Sequence, residues 1–180
     1  MVYLFLAEGF EEIEALTVVD LLRRAEIDIT TVSITGHKKV TGSHQIIVEA
    51  DDLYENANYK EAGMLVLPGG MPGTKHLGEH EALVQLLKEF HSQDKNIAAI
   101  CAAPSVLGAN GILKGKKATC YPGFEDKLID AIYTGSKAEE DGNIITGKGM
   151  GTAIDFSLKI IEKLRDKSTA EKIAASIQYV

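Results

Sequence analysis

The chain has 180 residues, 45% of them hydrophobic and 25% charged. These proportions suit a globular protein and a single domain, 1–180, with a sizeable core. A net charge of −7, from 26 acidic and 19 basic residues, argues against a nucleic-acid-binding surface, whose usual footprint is a basic patch.

No apolar stretch approaches the roughly 18–20 residues that cross a bilayer, so no membrane association is expected. Residues 2–7 are an apolar run with no basic segment ahead of it. They read as a first strand rather than a signal peptide, and a cytoplasmic address is the expectation. Residues 11–24 carry helical periodicity: Ala15, Val18, Val19 and Leu22 share one stripe, opposite Thr17, Asp20, Arg23 and Arg24. Residues 27–34 are β-rich and alternate, and 38–48 read as a hairpin around Thr41-Gly42-Ser43. Residues 64–67 are a buried strand that ends in Pro68-Gly69-Gly70-Met71-Pro72-Gly73.

A helix over 81–92 carries Leu83, Leu86, Leu87 and Phe90 on its apolar face. Residues 96–100 form the next buried strand, and the helix after Cys101 ends near Gly108. Short strands at 117–121 and 143–146, a loop at 147–151, a helix over 152–165 and a last helix over 168–177 complete the chain. Strands alternating with helices, and apolar on both faces, predict an α/β fold: a doubly wound, mostly parallel sheet sandwiched by helices. Such sheets bind ligands beyond the carboxyl ends of their strands, where the loops at 7–10, 68–73 and 101–104 are unusual.

Cys101 closes a strand and is followed at once by Ala102-Ala103-Pro104. This context predicts a strand-to-helix nucleophile elbow, with the thiol exposed at the bend. Nearby helix-terminal N–H groups would favour the thiolate. The plainer alternative is a packed core cysteine. Glu14 falls between Leu21 and Val18 on a helical projection, so the helix aims its carboxyl inward. Burial without a cation raises a carboxyl pKa, and a protonated Glu14 can hydrogen-bond a thiolate or act as a general acid. The competing reading is that Glu11, Glu12 and Glu14 decorate a helix N-terminus, which suits Glu12.

Gly69 and Gly70 allow backbone N–H groups to approach a ligand, forming an oxyanion hole with the Ala102 N–H; an ordinary turn is the alternative. Cys120 reads as a small packed hydrophobe, and Tyr121 beside it reaches towards the same pocket. His44 and His76 read as surface residues, while Lys148 and Met150 lie on a loop bordering the pocket. The two cysteines have no zinc spacing and read as free thiols, so no metal is expected. There is no phosphate loop and no dinucleotide fingerprint.

Four segments carry a family resemblance. They are Ala7-Glu8-Gly9-Phe10-Glu11-Glu12-Ile13-Glu14, Leu67-Pro68-Gly69-Gly70, Ala98-Ala99-Ile100-Cys101-Ala102-Ala103-Pro104 and Thr146-Gly147-Lys148-Gly149-Met150-Gly151-Thr152. In that order the chain resembles the ThiJ/PfpI superfamily, in the branch of the parkinsonism-associated deglycase and the bacterial ThiJ-like proteins. The resemblance implies a flavodoxin-like sandwich and a homodimer. It matches Cys101 to a reactive, easily oxidised cysteine and Glu14 to the acid that hydrogen-bonds it. Gly69, Gly70 and Ala102 match the backbone of the oxyanion pocket. Some members have a histidine where this chain has Tyr121, and a phenol with a pKa of about 10 is a poor base at neutral pH. Peptidase relatives have a histidine directly after the nucleophile; Ala102 stands there, which argues against peptidase activity.

Two functions follow as expectations. The first is a cofactor-free, glyoxalase- or deglycase-like enzyme acting on methylglyoxal-type dicarbonyls or early glycation adducts. The second is an oxidative-stress sensor or redox chaperone working through oxidation of Cys101. A role in thiamine-precursor metabolism is suggested by the superfamily's name alone, with no residue to support it.

Overall fold

Every apolar run expected to be a strand lies in a sheet of the computed structural model, which describes residues 1–179. In chain order the elements are β1 (Val2–Leu6), α1 (Glu12–Arg24), β2 (Ile29–Ser33), β3 (Lys39–Thr41), β4 (Ile47–Glu49), β5 (Asp52–Leu53), β6 (Met64–Leu67), α2 (Gly73–Glu79), α3 (Glu81–Ser92) and β7 (Asn96–Ile100). They continue with α4 (Pro104–Ala109), β8 (Lys117–Ala118), β9 (Ile132–Tyr133), β10 (Ala138–Asp141), β11 (Ile144–Gly147), α5 (Ala153–Leu164) and α6 (Lys167–Ser176).

The main sheet has seven strands in the order β10-β11-β7-β6-β1-β2-β5, parallel except for β10. The five central strands alternate in which face their side chains serve. Leu4 and Leu6 of β1 join Val18 and Leu22 of α1 and Phe156 and Ile160 of α5 in one core. Tyr3 and Phe5 point the other way, into a core with Leu83, Leu87 and Phe90 of α3 and Leu107 of α4. Strands buried on both faces favour apolar residues, which is why β1, β6 and β7 read as nearly continuous apolar runs, while β2 and β11 bury Thr31, Ser33 and Thr146 among them.

β5 and β9, two residues each, were not expected from the sequence, and three further elements depart from expectation. α2 was not expected: Gly73 and Gly78 sit near its two ends, and only Leu77 gives it a fully buried apolar anchor. β10 has the sequence Ala-Glu-Glu-Asp, with no β-branched residue, and forms only because it pairs antiparallel with β11 across a turn at Gly142. The strand expected at 117–121 is limited to Lys117–Ala118 and belongs to a separate pair with β9. Beyond Ala118 the chain's donors turn elsewhere. The Thr119 N–H donates to Thr146 Oγ1 (2.9 Å), and the Tyr121 N–H donates to the Cys101 carbonyl (2.8 Å).

Candidate active site

β1, β6 and β7 are neighbours, and the loops leaving their carboxyl ends deliver Glu14, Gly69-Gly70 and Cys101 to one place. The chain reverses direction across the sheet between β1 and β6, the point at which open α/β sheets form a crevice.

Cys101 sits at φ +66°, in the left-handed region that a non-glycine residue enters only under constraint. The constraint is visible on both sides. Its N–H donates to the Gly147 carbonyl (2.9 Å), and its carbonyl accepts the Tyr121 N–H (2.8 Å). Such a conformation costs about 1–3 kcal/mol, which the two flanking main-chain bonds help to hold. The thiol is partly exposed, whereas Cys120 is fully buried, among apolar side chains.

Glu14 is fully buried. Its Oε2 accepts the Gly69 N–H at 2.8 Å, and its Oε1 has no conventional partner. The Cys101 thiol adjoins it: a Cβ added at Gly69 would lie 2.6 Å from Cys101 Cβ and 2.7 Å from Glu14 Oε2. The Gly69 N–H is therefore committed to Glu14 and is not an oxyanion donor, contrary to expectation. The Gly70 and Ala102 N–H groups face the sulfur. Gly70 reaches that pose at φ +91°, where any Cβ would collide with the backbone of Gly9 and Phe10.

The electrostatics correct one expectation. Burial pushes Glu14 up to about 7, against the opposing hydrogen bonds of Cys101 and Gly69. The helix terminus does not bring the thiol down. Burial, the Glu14 charge and the bond to Glu14 push Cys101 up to about 12, outweighing the Ala102 and Gly70 N–H groups. α4 begins three residues on, at Pro104, so Cys101 precedes the helix. The two shifts are coupled, since the hydrogen bond that lowers Glu14 raises Cys101.

The other candidates sit further out. Tyr121 is 48% exposed. Its ring lies over Gly149, where a Cβ would come within 3.1 Å of it. Met150 is exposed, and Lys148 Nζ reaches away to the Gly135 carbonyl (3.4 Å). His76 Nδ1 bonds the Glu8 carbonyl (2.9 Å). Gly147, which clamps Cys101, was missed because a main-chain contact leaves no mark on residue type.

Glu12 is no loose helix decoration. Burial would raise it, but the His44 ring and the N–H groups of Glu12, His44 and Ile46 hold it at about 2. His44 Nδ1 lies 3.0 Å from Glu12 Oε2, and the His44 N–H donates to Oε1 at 2.7 Å. Glu11, Glu12 and His44 each place one possible metal-ligating atom within 4.8 Å of the others. These groups already bond one another and Ser43, which pins the β3–β4 hairpin to the start of α1.

Residues 1–163 match the sequence profile of the DJ-1/PfpI family. The chain is 35% identical to Parkinson disease protein 7 homolog of Danio rerio, over 96% of this chain and 93% of that protein. It is 39% identical to Protein DJ-1 homolog A of Arabidopsis thaliana over 92% of this chain, but spans only 42% of that longer protein. Among solved structures, oxidized Toxoplasma gondii DJ-1 superposes with a TM-score of 0.95 at 37% identity, covering 99% of this chain and 98% of that one. Drosophila melanogaster DJ-1beta does so at 0.93 and 34% identity, covering 99% and 97%.

Proposed function

The chain belongs to the DJ-1/PfpI family, and from that premise we propose that it is a cofactor-free, glyoxalase-like enzyme acting on methylglyoxal-type dicarbonyls or early glycation adducts through Cys101. One observation carries this reading: a partly exposed thiol adjoins a buried carboxyl and faces two backbone donors. The Cys101 sulfur attacks the aldehyde carbon of methylglyoxal, and its proton passes to the Glu14 carboxylate. The new alkoxide lies against the Gly70 and Ala102 N–H groups and is protonated to a hemithioacetal. Glu14, as carboxylate, then moves the proton from the former aldehyde carbon to the neighbouring carbon as the ketone becomes an alcohol. The resulting thioester takes up water, releases lactate and restores the thiol. The aldehyde is oxidised and the ketone reduced within one molecule, so no external redox partner is needed. Tyr121 bounds the pocket without serving as base.

The test is methylglyoxal turnover by purified protein. Cys101→Ser abolishes it, and Glu14→Gln lowers kcat by about 10²-fold or more, the usual weight of general acid–base help. Turnover that survives Cys101→Ser sinks the reading. Because the carboxylate form of Glu14 accepts the thiol proton, kcat/KM rises as pH passes through about 7 and Glu14→Gln removes that limb.

A second reading, oxidation sensing, is favoured by the oxidised state in which the Toxoplasma relative was solved. Peroxide would convert the Cys101 thiol to sulfenic acid and water, and a second peroxide would give the sulfinic acid. Mass spectrometry after mild peroxide treatment tests it; Cys120 or methionine oxidising first counts against it. Either activity is proposed to reside in a homodimer built on the exposed Ile13 and Leu16 of α1 and Ile46 and Ile47 of the adjoining hairpin.

A further inference from the structure

Between α2 and α4 runs a groove of about 270 Å³, with Met71, Thr74 and Gly78 on one wall, Val106 and Ala109 on the other, and Phe124 completing it. Three short links tie it to the thiol. Met71 follows Gly70, whose N–H faces the sulfur. The Ser105 hydroxyl, also on the groove, donates to the carbonyl of Ala102 at 2.6 Å, and Ala102 supplies the other donor. The Phe124 N–H donates to the Tyr121 carbonyl (3.0 Å), and the Tyr121 N–H donates in turn to the Cys101 carbonyl (2.8 Å). Residues lining the groove are therefore joined by one covalent or hydrogen-bonded link to Gly70 and Ala102, the donor pair that would hold a developing oxyanion.

Its size and chemistry select an occupant. A cavity of about 150 Å³ holds benzene, and sites for drug-sized ligands begin near 300 Å³. The groove falls between these, room for one ring or branched chain. No carboxylate lines it. Thr74 is 96% buried and its hydroxyl has no partner, while Lys75 stands at the edge. A cationic group finds no counter-charge here; an apolar body with a neutral or anionic end does.

We propose that this groove is the specificity subsite for the non-reacting substituent of the electrophile: a single aromatic ring or branched alkyl group carried on an α-oxoaldehyde that reacts at Cys101. The methyl group of methylglyoxal is too small to fill it. The inference rests on Cys101 being the nucleophile proposed above.

Two pairs of probes separate the groove from the catalytic reading. The first pair is iodoacetamide and its N-phenyl derivative, which share a leaving group and alkylate Cys101 without turnover; digestion and mass spectrometry give the rate at that residue. The second pair is methylglyoxal and phenylglyoxal, compared by kcat/KM. Gly78→Leu fills the groove from α2, where an added Cβ meets only Val106 methyls at 3.5 and 4.0 Å. Ala109→Leu fills it from α4 and serves if the first variant does not fold. Wild type favours the phenyl probe of each pair, and either variant lowers the phenyl-to-small ratio by about tenfold or more, the range one apolar contact commands. Ratios unchanged by filling overturn the subsite. A fall in the labelling ratio without turnover of either dicarbonyl overturns the glyoxalase reading and leaves the subsite standing.

Discussion

Glu14 carries the most consequential charge in the molecule. Its pKa in the folded chain, about 7, lies above the ordinary 4.5. The native state therefore binds the Glu14 proton more tightly than the unfolded chain does. Stability from this group is full below pH 4.5 and is lost as pH rises to about 7, amounting to about 3 kcal/mol. Glu14→Gln keeps an acceptor for the Gly69 N–H and removes the charge, so it should melt higher than wild type at pH 8 and differ little at pH 4. Thermal melting at the two values checks this; equal shifts at both contradict it. Gly69→Ala should act in the opposite sense. Its methyl would fall between thiol and carboxyl, where contacts of 2.6 and 2.7 Å leave no room, costing about 1–3 kcal/mol and dulling Cys101 towards iodoacetamide. The pair itself was legible in the sequence, because an acid within an apolar stripe and a cysteine before Ala-Ala-Pro are anomalies of residue type. The role of Gly69 was not, since which of two adjacent N–H groups meets a carboxylate depends on chain path.

Among the elements, the β3–β4 hairpin shows how a surface-looking pattern hides a structural contact. His44 is exposed and sits far from Glu12 in sequence, yet its N–H and ring fix that carboxylate. Gly42 makes the approach possible, since a Cβ there would collide with the Glu12 side chain. Gly42→Ala should therefore release the hairpin while leaving the main sheet intact, seen as faster amide exchange across 42–46. Protection unchanged in that segment would show that the carboxylate simply swings aside. The depressed pKa of Glu12, about 2 against 4.5, gives the acid behaviour: its stabilisation is complete above 4.5 and is lost as pH falls towards 2. α2 and β10 were illegible for a different reason. Neither has a periodic apolar face of its own, and each takes its form from a neighbour already in place, β10 from β11 and α2 from the cores beside it.

At the scale of the molecule, sequence patterning succeeded where burial is two-sided. β6, β7 and α3 have the boundaries expected of them, because an unbroken apolar run or a clean amphipathic period leaves little choice. It failed at the margins, where strands are short and half exposed. The same contrast bears on assembly. Ile47 is 65% exposed and Ile13 53%, large apolar side chains on adjoining elements. If they form the dimer contact, Ile47→Glu should shift the protein to monomer in analytical ultracentrifugation; a variant that sediments like wild type would move the interface elsewhere.

The clamp on Cys101 has a consequence for how the protein can change. The sulfur is ringed by peptide groups: N–H of Gly70 and Ala102 at the thiol, the Gly147 carbonyl and the Tyr121 N–H at its main chain. Peptide groups survive the exchange of the side chains they carry. Drift at Ala102, Tyr121 or Met71 can therefore remodel the surroundings of Cys101 while its main-chain clamp stays assembled. A library randomised at those three positions should yield many variants that still label at Cys101, differing in which reagents they accept.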